Sequence, residues 1–416
     1  MKRLDVYLGG VRVGVLEEAG AGALRFTYAP EWLARSGGVP LSRMLPLRPE
    51  PFKGGRVRAF FGGILPEEEP RRKIASILGI SEKNDFAMLE RIGGECAGAV
   101  CLLPEGASLP PFCADWRLRR LSDRELAAIV AGLPRRPLMA GEKGVRLSLA
   151  GAQDKLPVVV DEDGISLPIE DSPSSHILKP EPERFPGLVA NELFCMKLAK
   201  EVGLRVPEVS ARMIGGIPCL IVERYDRKVG TDGPPERIHQ EDFCQALGFP
   251  PERKYQQEGG PVLEACIGLL REWSSAPVLD IRDFVDGVIF NVLIGNADAH
   301  AKNFSMLYQG ASRRLAPFYD LVCTRAWPEL SGVLAMRIGN ARFLNEVTPD
   351  HFRQMARKAE LGWPMVRERI GSLCEQVAGA LEHAVGGGWR GNEMVGGVAE
   401  LILERVGRMR KQMAGK

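Results

Sequence analysis

The stretch NVLIGNADAHAKNFSML, residues 291–307, holds the pattern on which the fold turns. Its apolar beginning continues Phe284, Val285, Val288, Ile289, Val292 and Leu293, spaced i, i+3, i+4, and this spacing predicts a buried helix that ends at Gly295. Apolar character returns at Phe304, after a polar interruption containing Asp298, His300, Lys302 and Asn303. Asp298 and Asn303 stand as D-x-x-x-x-N on the loop after the helix, and LAPFYDLV (315–322) then delivers Asp320 at the end of an apolar strand. An Asn and an Asp brought together can hold Mg2+ through oxygen, while a separate Asp accepts the proton of an attacking hydroxyl. The competing expectation is plain structure: Asp298 and Asn303 as turn residues and Asp320 as a helix cap.

Upstream, RLSLAGAQDKLPVVV (146–160) sets Ser148, Gly151, Gln153 and Lys155 ahead of a strand. Small residues let backbone N–H groups approach an anion, and Lys155 adds positive charge, although no GxxxxGK[ST] is present and an ordinary turn has the same composition. In HILKP (176–180), Lys179 lies on an otherwise apolar strand, where it either snorkels outward or meets an anion. Glu192, in the helical stretch ANELFCMKLAKEVG (190–203), is a candidate partner for Lys179, or an acid that complements the helix N-terminus. His300 could act as an acid or base beside Asp298, but is expected to be structural or nucleotide-contacting, since phosphoryl transfer relies mainly on positioning and charge, and the five histidines show no metal-ligand spacing such as HExxH. A small-residue loop, a strand Lys, a helix with Glu, a strand with a charged exit, helices, D-x-x-x-x-N, a strand pair and a final Asp follow the protein-kinase order of parts.

Length and composition frame these motifs. A chain of 416 residues exceeds one compact core, and 45% hydrophobic with 26% charged residues is the balance of a folded globular protein. With 55 Lys plus Arg against 53 Asp plus Glu, the formal charge of +2 gives no global attraction to nucleic acid or membrane. The nine cysteines show no CxxC spacing, which favours free thiols in a reducing cytoplasm. MKRLDVYLGGVRVGVLEE lacks an apolar signal region, and no run approaches the roughly 18 apolar residues of a membrane span. Alternation around Gly9-Gly10 predicts a hairpin at the start, and KLPVVVDEDGISLP (155–168) predicts another through Asp163-Gly164. Irregular strands are expected around FSMLYQG (304–310) and RRLAPFYD (313–320), and a flexible loop over 383–394. The basic end, RVGRMRKQMAGK (405–416), is expected to be a solvated helix terminus.

Taken together, SLAGAQDK, HILKP, VERYD (222–226), GNADAHAKNFS and APFYD resemble the HipA family of bacterial serine/threonine kinases, the toxins of type II toxin–antitoxin modules. FFGGILPE (60–67) and CAGAVCLLPE (96–105) are similar to that family's N-terminal subdomain, so the likeness spans nearly the whole chain. It implies an α+β, protein-kinase-like bilobal fold with a β-rich N-terminal subdomain (1–105), a kinase N-lobe (106–226) and an all-helical C-lobe (227–416). It also implies ATP and Mg2+ as cofactors. Ala150, Gly151, Ala152, Gln153, Asp154 and Lys155 would cover the phosphates, Lys179 would contact them, and Glu223, Arg224 and Tyr225 would meet adenine. Asp298 would be the catalytic base, and His300, Ala301, Lys302 and Asn303 would line the nucleotide, with Asn303 and Asp320 on the metal. Ser148 matches the family's autophosphorylation site. The implied partners are a helix-turn-helix antitoxin resembling HipB, DNA chiefly through that antitoxin, and an aminoacyl-tRNA synthetase as protein substrate. A small-molecule kinase on the same scaffold and a non-catalytic nucleotide-binding co-repressor are the alternatives.

Overall fold

The computed structural model describes residues 2–414 except Ala21, 108–115, 229, 231–232, 387–388 and 390. Most of the Pro-rich stretch after residue 105, Cys113 and part of the loop expected over 383–394 lie outside the described residues. The chain forms two compact units: Met1–Pro182 with Ser210–Glu252 and Met306–Arg313, and Glu183–Val209 with Arg253–Ser305 and Arg314–Lys416.

The first unit begins with a five-stranded antiparallel sheet in the order Phe52–Lys53, Ala23–Tyr28, Val11–Ala19, Arg3–Leu8, Val100–Pro104. The expected hairpin is there: Leu8 pairs with Val11, and Gly9 and Gly10 have φ of 55° and 83°. Positive φ at both central residues is what a two-residue I′-type turn needs, and glycine adopts it without steric cost. A six-stranded sheet follows, in the order Val209–Ile214, Ile217–Glu223, His176–Pro180, Leu156–Asp161, Gly164–Pro168, Leu118–Arg120. Buried side chains from both sheets, with Phe61 from the helix Gly55–Gly63, run from Leu4 through Phe26 and Leu156 to Ile221 in one hydrophobic cluster. That shared core is why no division falls at residue 105. Nor does one fall at 226, because Arg227–Lys228, Glu236–Arg237 and His239–Asp242 stay with the first unit.

In the second unit, helices Leu188–Glu201, Leu263–Trp273, Pro277–Ile294, Pro349–Lys358, Trp363–Gly386 and Glu393–Ala414 predominate. Helix Pro277–Ile294 matches expectation: Pro277 opens it, and Gly295, at φ 81°, closes it by donating to the carbonyls of Asn291 and Val292. Every residue from Phe284 to Ile294 is buried, as befits a helix surrounded by its own unit. A Cβ at Gly287 would lie 2.5 Å from the ring of Phe318, in the APFYD segment. Gly287→Ala is therefore expected to lower stability by about 1–3 kcal/mol, the cost of overpacking, read as a fall in the thermal midpoint.

The C-terminal part is not all helical. Strands Ser305–Gln309 and Ser312–Leu315 form the anticipated pair, and a hairpin, Val333–Ile338 with Ala341–Phe343, was not anticipated. Its turn is Gly339-Asn340, with Gly339 at φ 60°, a two-residue hairpin signal inside a region dominated by helical periodicity. Helix Trp363–Gly386 also runs into the segment expected to be loop. Arg405 departs from the solvated helix end, being buried and donating to Asn345 Oδ1 at 2.6 Å. The eight described cysteines are buried and free. Among the described residues no helix is long and apolar enough to cross a membrane.

Candidate active site

The candidate residues divide between the units. The first unit carries Ser148, the 150–155 loop, Lys179 and 223–225, and the second carries Glu192, Asp298, His300–Asn303 and Asp320.

In the first unit, Ser148 is fully buried, donating from Oγ to the Ile64 carbonyl at 3.0 Å and from its N–H to the Glu95 carbonyl at 2.9 Å. Gly151 adopts φ 108°, and a Cβ there would lie 2.7 Å from Lys155 Nζ. The backbone conformation favours glycine, whereas the near atom is the movable end of the Lys155 side chain. Lys155 Nζ donates to the Ala150 carbonyl at 2.7 Å, folding the loop over itself, and burial pushes the Asp154 carboxyl above its ordinary range. Ala152 is exposed, while Gln153, like Ala150, is half-buried. Lys179 pairs across the sheet with Leu220 and is only 5% exposed, so it does not snorkel into solvent.

The 223–225 segment holds a surprise in its central residue. Arg224 is turned inward, donating to Glu95 Oε1 at 2.9 Å, to both Asp226 oxygens at 2.9 and 2.7 Å, to Ser174 Oγ at 3.0 Å and to the Cys96 carbonyl at 2.9 Å. Its guanidinium is committed to this cluster, and the Tyr225 hydroxyl donates to Gln240 Oε1. Glu95 also accepts from Arg227 at 2.7 Å, from Arg237 and from Ser174. Burial alone would push the Glu95 carboxyl up, but Arg227, Arg237 and Arg224 outweigh it and hold the group at about 2. Asp226 is likewise held well below the usual carboxylate range against burial, by Arg224 and Arg227.

In the second unit, Glu192 is 3% exposed and sits beyond the first turn of Leu188–Glu201, so the helix-terminus role does not apply. Its neighbour Asn191 makes a two-point clasp on Cys323: Nδ2 donates to the carbonyl at 3.1 Å, and Oδ1 accepts from the N–H at 2.8 Å. The loop from Gly295 is equally fixed. Asn296 Oδ1 accepts from Asp298 N–H at 3.0 Å, and Thr324 Oγ1 accepts from Ala297 N–H at 2.9 Å while donating to the Gly295 carbonyl at 3.1 Å. Asp298 itself is exposed at the head of this braced turn.

Ala301–Asn303 form a 3-10 turn, with Asn303 Oδ1 accepting from His300 N–H at 3.2 Å. That uses one of two lone pairs on the oxygen and leaves the other. Lys302 and His300 are buried, the His300 ring lying edge-on to Tyr255 at 5.4 Å. Tyr319 straps the next segment to this loop: its hydroxyl donates to the Lys302 carbonyl at 2.7 Å and lies 2.8 Å from Ser305 Oγ. Ala316 N–H also reaches the Ser305 carbonyl at 2.8 Å. Asp320, next to that strap, has φ 54°, a left-handed conformation that costs a non-glycine residue of order 1–3 kcal/mol and recurs at functional sites. The oxygen donors of Asn303 and Asp320 suit a hard cation such as Mg2+, which keeps waters and phosphate oxygens in its remaining positions. Among the described residues no group of three His, Cys, Asp or Glu could hold a metal. A site of one Asn and one Asp is a different donor set.

The HipA-like C-terminal domain profile matches residues 147–384, and the HipA N-terminal domain profile matches residues 4–103. The chain belongs to the HipA family. It is 46% identical to Y4mE of Sinorhizobium fredii, named as a candidate kinase, over 92% of this chain and 91% of that one. It is 31% identical to the serine/threonine-protein kinase toxin HipA of Shewanella oneidensis, over 80% of this chain and 78% of the relative. A solved HipA structure, from the S. oneidensis complex of HipA, HipB and operator DNA, superimposes with a TM-score of 0.87 at 26% identity, covering 99% of this chain and 98% of that one. The HipA fold is therefore shared throughout, and the chain is a member of a serine/threonine kinase family. Two contributors lacked a recognisable sequence signal. Asn191 is hidden beside Glu192, and Glu95 is marked only as an acid among small and apolar residues in GGECAGAV (93–100).

Proposed function

We propose that the chain is the Mg2+- and ATP-dependent serine/threonine kinase toxin of a HipA–HipB type module, acting in the cytoplasm. The observation that carries this reading is the bracing around Asp298 and Asp320: an exposed carboxylate on a turn fixed by Asn296 and Thr324, and a strained aspartate beside the Tyr319 strap. Rigid placement of an acceptor and of a metal ligand is what phosphoryl transfer asks of a protein.

In the proposed reaction, the Asp298 carboxylate takes the proton of a serine or threonine hydroxyl. That oxygen bonds to the γ-phosphorus as the bond to the bridging oxygen breaks, and ADP leaves. Ala150–Lys155 and Lys179 would hold the phosphates, Glu223 and Tyr225 with the main chain at Arg224 the adenine, and His300, Ala301 and Lys302 would line the nucleotide. Asn303 and Asp320 would hold Mg2+, which when bound offsets phosphate charge. Asp320→Ala is expected to weaken Mg2+-dependent ATP binding more than about tenfold, an effect that even outer partners of a metal reach. Unchanged affinity by calorimetry would remove Asp320 from the metal site.

Ser148 is proposed as the autophosphorylation site. Its hydroxyl is buried against Ile64, so modification requires the segment to leave, and a phosphate of about −1.5 to −2 charge could not return there unpaired. The proposed partner is a small helix-turn-helix antitoxin of the HipB kind, supported by the S. oneidensis complex. With a net charge of +2 on this chain, DNA affinity would come mainly from the antitoxin. The proposed substrate is a translation protein of the aminoacyl-tRNA synthetase class. Incubation with labelled ATP and cell lysate, followed by phosphosite mapping, tests these assignments together. Phosphoprotein with a modified Ser148 is expected, whereas phosphorylated metabolite alone would overturn the protein-kinase reading.

A further inference from the structure

We propose that Glu95 is a positioning residue that couples the Ser148 segment to the adenine-facing hinge, so that the two loosen or tighten together. The inference rests on the proposed nucleotide role of 223–225. Glu95 has two sets of partners. Its main chain holds the segment before the phosphate loop, donating from N–H to the Arg146 carbonyl at 2.8 Å and accepting from Ser148 N–H at 2.9 Å. Its carboxylate holds the hinge exit through Arg224 at 2.9 Å and Arg227 at 2.7 Å. The following residues repeat the arrangement: the Cys96 carbonyl accepts from both arginines, and Gly98 N–H donates to Asp226 Oδ2 at 2.6 Å. One short peptide thus grips Ser148 with the Glu95 main chain and the hinge with the Glu95 carboxylate and the main chain of Cys96 and Gly98.

Ser174 closes the link, because its hydroxyl donates to Glu95 Oε1 at 2.9 Å and accepts from Arg224 Nη1 at 3.0 Å. Ser148 itself is held by hydrogen bonds to the Glu95 and Ile64 carbonyls, and its neighbours Leu147 and Leu149 are buried beside it. Departure of the segment removes the Glu95 carbonyl's partner and frees the peptide on which Arg224 and Arg227 depend. Loss of the inward serine would therefore be felt at the hinge even before any added charge is considered.

Two variants separate this coupling from a general loss of structure. Ser174→Ala removes only the shared hydroxyl, and Glu95→Asp keeps the charge while withdrawing it by about 1.5 Å. For each, affinities for Mg2+-ATP and Mg2+-tripolyphosphate are measured by calorimetry, and exchange of the Ser148 amide by hydrogen–deuterium exchange. The expected result is a loss of about tenfold in ATP affinity, with Ser148 exchange faster by a similar factor and amides of the second unit exchanging as in wild type. A general loss of structure would quicken exchange in both units, and that outcome, or unchanged values in folded variants, overturns the coupling. If Glu95→Asp does not fold, Ser174→Ala decides alone. If wild-type protein shows no preference for ATP over tripolyphosphate, the hinge assignment falls and the coupling with it. If that preference stands and Ser148 exchange does not respond to the variants, only the coupling falls.

Discussion

Asp298→Ala is expected to reduce phosphoryl transfer by roughly 100- to 10,000-fold, the contribution of a positioned general base, while leaving ATP affinity close to wild type. The separation follows from the geometry. Asp298 N–H is held by Asn296 Oδ1, a contact the substitution leaves intact, and the loop is anchored independently through Thr324 to Gly295 and Ala297. The lost carboxylate is exposed, so little packing goes with it and the thermal midpoint should stay within the small range typical of surface changes. Single-turnover rates on a mapped protein substrate, with calorimetry of Mg2+-ATP, provide the check. Self-phosphorylation at the wild-type rate would show that another group takes the proton, and a parallel collapse of ATP binding would make Asp298 a binding residue.

Local chemistry made part of this site legible. The i, i+3, i+4 run before Gly295 and the αL stop at Gly295 are neighbour effects, so helix, loop and D-x-x-x-x-N could be placed from the sequence. Lys179 left two possibilities open because snorkelling and burial share one strand pattern, and its 5% exposure excludes the first. The bracing was not legible. Tyr319, Asn191 and Thr324 act on carbonyls and amides distant in sequence, and nothing in APFYD foretells the left-handed Asp320. Arg224 is the sharpest case. In VERYD it lies where a hinge belongs, yet its guanidinium answers Glu95 and Asp226, and only the approach of residues 95–98 reveals it. For the same reason the core continues across the boundary placed near residue 105, where the N-terminal profile also ends, since a domain limit read from Pro and Gly leaves open whether the cores on either side merge.

Glu95→Gln is expected to lower folding stability by about 3–5 kcal/mol, the cost of breaking a buried ion pair by removing one partner. Three arginines surround Glu95, with Asp226 as the second acid of the cluster, so the wild-type cluster of Glu95, Asp226, Arg224, Arg227 and Arg237 carries a net +1 (3 − 2) and the variant +2 (3 − 1). Glutamine preserves an acceptor for Ser174 and one arginine, but not the charge that offsets the burial of the others. The effect has a pH signature. Glu95 is held at about 2 against an ordinary value of 4.5, so its contribution is fully present above about 4.5 and disappears as pH falls through about 2. That gap of roughly 2.5 units corresponds to about 3 kcal/mol, in line with the cost of a broken pair. Denaturant unfolding of both proteins should therefore show a large, constant difference near neutral pH that narrows between about pH 4.5 and 2. A difference that stays constant through that window would mean that Glu95 contributes shape and hydrogen bonds rather than charge, and equal stability at pH 7 would mean that the arginines find other partners when it is gone.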